Sequence, residues 1–326
     1  CICRTRLPDA WSRRNALTYA LQDFGSYTVG GRWIDVDGQP TQTIQFTPTA
    51  SFEYDPNGRY GIAHAYVQYF KPIKRNDRPP IVLLHGGGMS GAMWETTPDS
   101  RPGWLQLLVG AGYEVHVVDN VERGRAGWCA VEGIWPDQAL LRTAQEAWHL
   151  FRIGARETFS ERLGFTGCRF PIGSFDTFVR SFVPRWTSTT AEATLAFSQV
   201  LHKLGRSIVI CHSQGGQIAF EAAVKNSERV SAIVGVEPSG FASEPVAIKD
   251  IPVLLVYGDY LEATPGLPPL LEMGKTWSET FTNAGGQADM MQLPETGVAG
   301  NTHMLMMDDN SADVLKRVTS WIEQLE

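Results

Sequence analysis

The 326-residue chain is 43% hydrophobic and 19% charged, a balance that fits one large α/β domain, or a core domain with an inserted subdomain, and excludes wholesale disorder. Its net charge of −7 excludes an extended nucleic-acid surface, and no stretch approaches the roughly 20 apolar residues that span a bilayer. The chain opens at Cys1 with neither an initiator Met nor an apolar signal core, as a processed form or a trimmed one does.

In chain order, residues 1–24 are rich in Arg and polar groups and read as an N-terminal arm. Residues 27–36 and 64–70 alternate β-branched or aromatic residues with polar ones, as half-buried antiparallel strands do. Asp55-Pro56-Asn57-Gly58 between them is turn chemistry. The pattern then changes. Ile81-Val82-Leu83-Leu84 is a continuous apolar run, which predicts a strand buried on both faces. A helix over 104–111 ends at Gly112, and further strands fall at 115–118, 207–210, 232–236 and 253–257. A last strand-like stretch covers 290–293, and helical periodicity marks 217–225 and 313–325. Strands alternating with helices predict a mostly parallel, doubly wound sheet whose ligands sit at the carboxyl ends of the strands.

The interval between the strands at 115–118 and 207–210 far exceeds the roughly 30 residues of an ordinary crossover. Residues 128–188 are therefore expected to form a lid inserted between two core segments, 25–127 and 189–326. The insertion carries four tryptophans (128, 135, 148 and 186) and seven phenylalanines, enough for a small core of its own with some rings facing substrate. Its arginines, Arg152, Arg156 and Arg162 among them, read as a solvated face or as a lure for an anionic substrate.

Five cysteines leave at least one thiol unpaired, with Cys211 in an apolar strand the obvious candidate. A Cys129–Cys168 bridge, or a bridge from either to Cys1 or Cys3, would suit an oxidising compartment, so a periplasmic or secreted location is expected, with the cytoplasm as the alternative. The cysteine spacing matches no zinc site, and no metal or organic cofactor is implied.

Cys211-His212-Ser213-Gln214-Gly215-Gly216 lies between a buried strand and a helix, the setting of a nucleophile elbow. Ser213 alone among the serines has glycine two residues on. The turn is tight enough to demand small residues on both sides. Gly215 and Gly216 meet that demand, and Cys211 stands where a glycine is usual. These residues, with His85-Gly86-Gly87-Gly88, Gly235-Val236-Glu237-Pro238 and Gly300-Asn301-Thr302-His303, resemble the α/β-hydrolase superfamily, and within it the bacterial esterases related to esterase 713. The resemblance covers roughly 60–125 and 200–325 and leaves the insertion unmatched.

His303 is the expected base. His64 and His116 sit in strands, His149 in the insertion, His202 on a helix, His85 opens the glycine turn, and His212 diverges from its neighbour Ser213. His303 follows the final strand, where this fold carries its catalytic histidine. For the acid, most members of the superfamily place a carboxylate where this chain has Leu261, with Asp259 and Glu262 out of register. The esterase 713 relatives carry theirs one strand earlier, which implies Glu237; Asp259 and Glu262 stay as alternatives.

An oxyanion hole needs two backbone N–H groups, expected here from Gln214 and Gly87, with Gly88 beside it. Gly88 and Trp94 are expected at the substrate pocket, with Met89 as wall or core. The resemblance implies ester hydrolysis through a Ser-His-Glu triad, and the aromatic insertion favours small to medium hydrophobic or aryl esters; charge and composition predict no nucleic-acid partner and no membrane span, and a homodimer is left open. An amidase or peptidase, a hydroxynitrile lyase and a non-catalytic binding protein on the same scaffold remain rivals. Dehalogenases and epoxide hydrolases use an aspartate where Ser213 stands.

Overall fold

A computed structural model describes residues 18–263 and 269–325. Eight strands form one sheet: β1 (Leu21–Val36), β4 (Gly58–Pro72), β5 (Ile81–Leu84), β6 (Val115–Asp119), β7 (Ser207–His212), β8 (Val230–Val236), β9 (Val253–Tyr257) and β10 (Ala288–Gln292). Their order across the sheet is β1-β4-β6-β5-β7-β8-β9-β10. β1 pairs antiparallel with β4 and β4 with β6, and every pairing from β6 to β10 is parallel. The large, mostly parallel sheet is the doubly wound arrangement expected from the sequence.

The central strands alternate between two cores. Ile81, Leu83, Ile208 and Ile210 face one side, and Val82, Leu84, Val209 and Cys211 the other. Both faces are covered, so a strand here needs an unbroken apolar run rather than alternation. The first core is closed by α1 (Trp104–Gly110) and α7 (Ser311–Gln324), through residues such as Leu108 and Val318. The second is closed by α4 (Thr190–Leu204), α5 (Gln214–Val224) and α6 (Leu270–Asn283), through Phe197, Phe220 and Phe281.

Three sequence expectations change. The expected arm reaches residue 24, but β1 already starts at Leu21, paired with Pro72; residues 1–17 lie outside the described part. A hairpin of β2 (Gln42–Thr47) and β3 (Ala50–Tyr54) was not foreseen, and it is exposed on both faces. Cys129 and Cys168 do not bridge. Cys129 packs against the core on one side of the sheet and Cys168 against the core on the other, so no disulfide can join them. Cys211 is fully buried, and burial pushes its thiol up to about 12. Cys1 and Cys3 lie outside the described residues.

The insertion carries α2 (Ala144–Leu150) and α3 (Phe175–Val179) between long loops. Trp148, Phe151, Phe170, Phe175 and Phe178 pack edge-on or tilted against one another and merge with the first core rather than forming a separate one. Trp135 and Trp186 join the second core.

Candidate active site

β7 runs straight into α5 with only Ser213 between them, and Ser213 holds the turn at φ 51°, ψ −121°. A side chain in that region is strained, and such strain gathers at functional sites. The packing explains the two glycines. A Cβ at Gly215 would come 2.6 Å from the His85 carbonyl oxygen, and one at Gly216 would come 2.7 Å from the Pro238 side chain.

Glu237 leaves the end of β8, next to β7 in the sheet, with φ 50° and no exposure to solvent. Its Oε2 lies 3.3 Å from His303 Nδ1, and its Oε1 accepts from the Gly258 N–H at 2.6 Å and from Arg152 Nη2 at 2.5 Å. Burial alone would raise this carboxyl. The Arg152 charge and the His303 hydrogen bond outweigh burial and hold it at about 2, so it is ionised at neutral pH. The ring of His303 is nearly buried, and burial moves it below its ordinary value while Glu237 pulls it back up.

The loop bearing His303 is fixed on three sides. Its N–H donates to the Phe151 carbonyl at 3.0 Å, and the Phe151 ring stacks on the imidazole at 12° between planes. Its carbonyl accepts from His212 Nε2 at 2.9 Å. Since a carbonyl can only accept, His212 carries its proton on Nε2, leaving a buried, unpartnered Nδ1. Burial and the neighbouring His303 hold His212 well below its ordinary value, so it stays neutral and positions the loop. The third tie is Asp308, fully buried, which accepts from the Thr302 N–H, the Thr302 hydroxyl and the Asn301 amide.

Ser213, His303, Phe151 and Arg152 line one cavity of about 320 Å³. No hydrogen bond joins the Ser213 hydroxyl to the His303 ring; such contacts are often long before substrate binds. The glycine turn after β5 lies against the elbow. A Cβ on Gly86 would be 3.0 Å from Ser213 Cβ, and one on Gly87 would be 2.8 Å from Gln214 Oε1. Among the described residues the N–H groups of Gly87 and Gln214 have no acceptor, so both are available to an anion at the elbow. His85 anchors the turn: its ring bonds the Gly86 carbonyl at 2.9 Å and accepts from the Asn120 N–H at 3.1 Å. Gly88 adopts φ 73°, and its carbonyl accepts from the Val183 N–H of the insertion.

Two sequence assignments are corrected. Trp94 does not line the cavity; it is fully buried in the core, 5.6 Å from the Trp104 ring, because the short 3-10 turn at Gly91–Trp94 points it beneath the sheet. Met89 is in the same core. Of the arginines named in the insertion, Arg156 is exposed and Arg162 pairs with Asp176 over the Phe159 ring. Arg152 is neither solvated nor free for substrate, being 2% exposed and paired with Glu237. Two arginines that sequence reasoning passed over, Arg142 and Arg185, line the cavity instead. Asp259 makes no bond to His303 and instead accepts from the N–H groups of Tyr260 and Gly300.

This strained elbow beside a buried imidazole–carboxylate pair sits on a sheet of known kind. The model of the Alpha/beta hydrolase family matches residues 81–302, more than half of the chain, and the chain belongs to that family. A solved structure reported as a novel bacterial esterase is 31% identical over 96% of this chain and 99% of its own length, with a TM-score of 0.81. A fungal protein (Fungal sp., strain ATCC 74256) named "Probable secreted lipase phiG" is 24% identical, across 82% of this chain and 88% of its own. The scaffold is that of esterases and lipases.

Proposed function

We propose that the chain hydrolyses carboxylic esters through Ser213, His303 and Glu237. The observation that carries this reading is the fully buried, ionised Glu237 held 3.3 Å from His303 Nδ1, with the imidazole opening on the same cavity as the Ser213 hydroxyl. His303 takes the Ser213 proton as the oxygen attacks the ester carbonyl, and Glu237 stabilises the imidazolium that forms. The tetrahedral oxyanion receives the N–H groups of Gly87 and Gln214, each worth about 100- to 1,000-fold in rate in comparable sites. His303 then protonates the departing alcohol, leaving an acyl-Ser213 ester. In the second half it deprotonates a water that attacks the acyl group, and returns that proton to Ser213.

Fold alone does not decide function, so the ester preference rests on the site and on the esterase and lipase relatives together. Leu150, Phe151, Leu261 and Leu270 give the cavity an apolar wall that fits acyl or aryl groups of modest size. We read 128–188 as the lid over this cavity, and place the protein outside the cytoplasm by analogy with the fungal relative; fractionation of producing cells checks the latter. Covalent labelling by a fluorophosphonate tests the chemistry. Labelling is expected on Ser213 and lost, with turnover, in Ser213→Ala. Labelling elsewhere, or substantial turnover by that variant, refutes it.

A further inference from the structure

The cavity beside Ser213 is apolar on one side only. Its other side carries three guanidinium groups and the Glu146 carboxylate. Arg152 is neutralised by Glu237, but Arg142 and Arg185 also line the cavity. Arg185 is set in place by backbone bonds in both directions with Leu140 (2.7 and 3.0 Å). Its Nη1 reaches over the oxyanion turn: a Cβ on Gly87 would lie 2.6 Å from it, and Gln214 Oε1 is 3.4 Å away. Among the described residues no carboxylate comes within ion-pair distance of Arg185. Arg142 gives Nη1 to Glu146 at 2.7 Å, while its Nε is buried without a partner beside Gly88.

A third cation, Arg123, stands behind these two. It is 5% exposed, its Nε has no partner, and burial together with the Arg185 charge brings it down to about 10. Arg142 is likewise held below its ordinary value, first by burial and then, against the pull of Glu146, by Arg185. The Arg185 guanidinium thus repels both Arg123 and Arg142 across a partly buried space. Glu146 at the rim is a ligand of Arg142, and Glu122, beside Arg123, is pushed up by burial towards its neutral form. In a chain of net charge −7, Arg142 has one carboxylate partner, Glu146, and among the described residues Arg185 has none, only the Gln214 amide oxygen. Buried donors left without acceptors are costly, and planar guanidiniums match a carboxylate in geometry and charge.

We propose that the site takes esters bearing a free carboxylate, bound by Arg185 with Arg142 while the ester carbonyl lies at Ser213. This rests on the esterase reading above and narrows its substrate class. The carboxylate can stand on the acyl part, as in a monoester of a dicarboxylic acid, or on the alcohol part, as in an acylated hydroxybenzoate.

The test compares matched pairs on the intact protein. For the acyl side, mono-4-nitrophenyl glutarate is set against 4-nitrophenyl valerate; for the alcohol side, the butyrate of 4-hydroxybenzoate is set against that of 4-methylphenol. One carboxylate ester is expected to exceed its neutral partner in kcat/KM by about tenfold or more, with the preference shrinking as salt rises. Arg185→Gln should reduce that preference ratio by about tenfold, Arg142→Gln should reduce it too, and Arg185→Lys should restore part of it. Equal turnover within both pairs, or a ratio unmoved by Arg185→Gln, overturns the inference while leaving the esterase reading intact. Failure of the wild type to hydrolyse any of the four, with no fluorophosphonate label on Ser213, overturns the reading underneath and this inference with it.

Discussion

Replacing Arg152 with Met removes the guanidinium that pairs with the buried Glu237 carboxylate. The pair is close (Nη2 to Oε1 2.5 Å), with neither partner more than 3% exposed, and Arg152 Nε also donates to the Asp259 carbonyl at 2.8 Å. Left alone, Glu237 keeps the Gly258 N–H and His303, which offset its burial only in part. Breaking a buried pair from one side typically costs about 3–5 kcal/mol, and Met fills much of the vacated volume, so the loss is electrostatic rather than a cavity. The sign with pH follows from the same charge. Glu237 sits at about 2 in the folded protein against an ordinary 4.5, so its contribution is complete above pH 4.5 and fades as pH falls towards 2. In Arg152→Met burial raises that carboxyl, and a protonated Glu237 needs no cation. The stability gap between wild type and variant is therefore largest at neutral pH and shrinks in acid. Urea unfolding from pH 7 to pH 3 measures it, and the acid limb of the kcat/KM profile should move upwards in parallel. Adding Glu237→Gln should recover most of the stability and none of the activity. A gap under about 1 kcal/mol at pH 7, or one that stays flat into acid, refutes the argument.

Two further substitutions probe the surroundings. Gly87→Ala sets a methyl against the ends of Arg185 and Gln214, both flexible, so the melting temperature should hold within a few degrees while kcat/KM falls about 10- to 100-fold; an unchanged rate removes Gly87 from the oxyanion site. Asp308→Asn addresses the loop under His303. Burial pushes Asp308 up to about 7 from an ordinary 3.8, so its stabilising contribution is complete below 3.8 and is lost as pH rises through about 7. The amide mimics the neutral acid, and the Thr302 hydroxyl can turn to accept from it. The unfolding free energy of Asp308→Asn should therefore exceed that of wild type by a margin that grows from about pH 4 to pH 7 and then levels off. A constant margin in the same titration counts against the neutral form.

The parts legible in the sequence were those set by local physics. Ile81-Val82-Leu83-Leu84 and its counterparts read as buried strands because both their faces meet a core, and Ser213 was visible because strand, sharp turn and helix follow one another within a few residues. The β2–β3 hairpin was missed because neither face is buried, which leaves no contrast for periodicity to report. Glu237 and His303 were reached through chain order and family likeness, since nothing near Glu237 announces a ligand 66 residues downstream. Arg152 gave no signal at all. It stands at φ 57°, and its partner lies 85 residues away, so its local sequence is that of any solvated arginine. Trp94 misled in the opposite sense, since proximity to the glycine turn in sequence does not fix the side of the sheet on which a ring ends.

The Phe151–Arg152 step has a consequence for how such a protein diversifies. One carbonyl, one aromatic plane and one cation from a single dipeptide in the inserted segment hold both the His303 imidazole and the Glu237 carboxylate. Exchanging that segment wholesale for a relative's, in order to borrow a new specificity, would unseat the proposed base and acid along with the old preference. Only grafts that keep these two residues, while varying the rim around Arg142 and Arg185, leave the machinery standing when its tastes are changed.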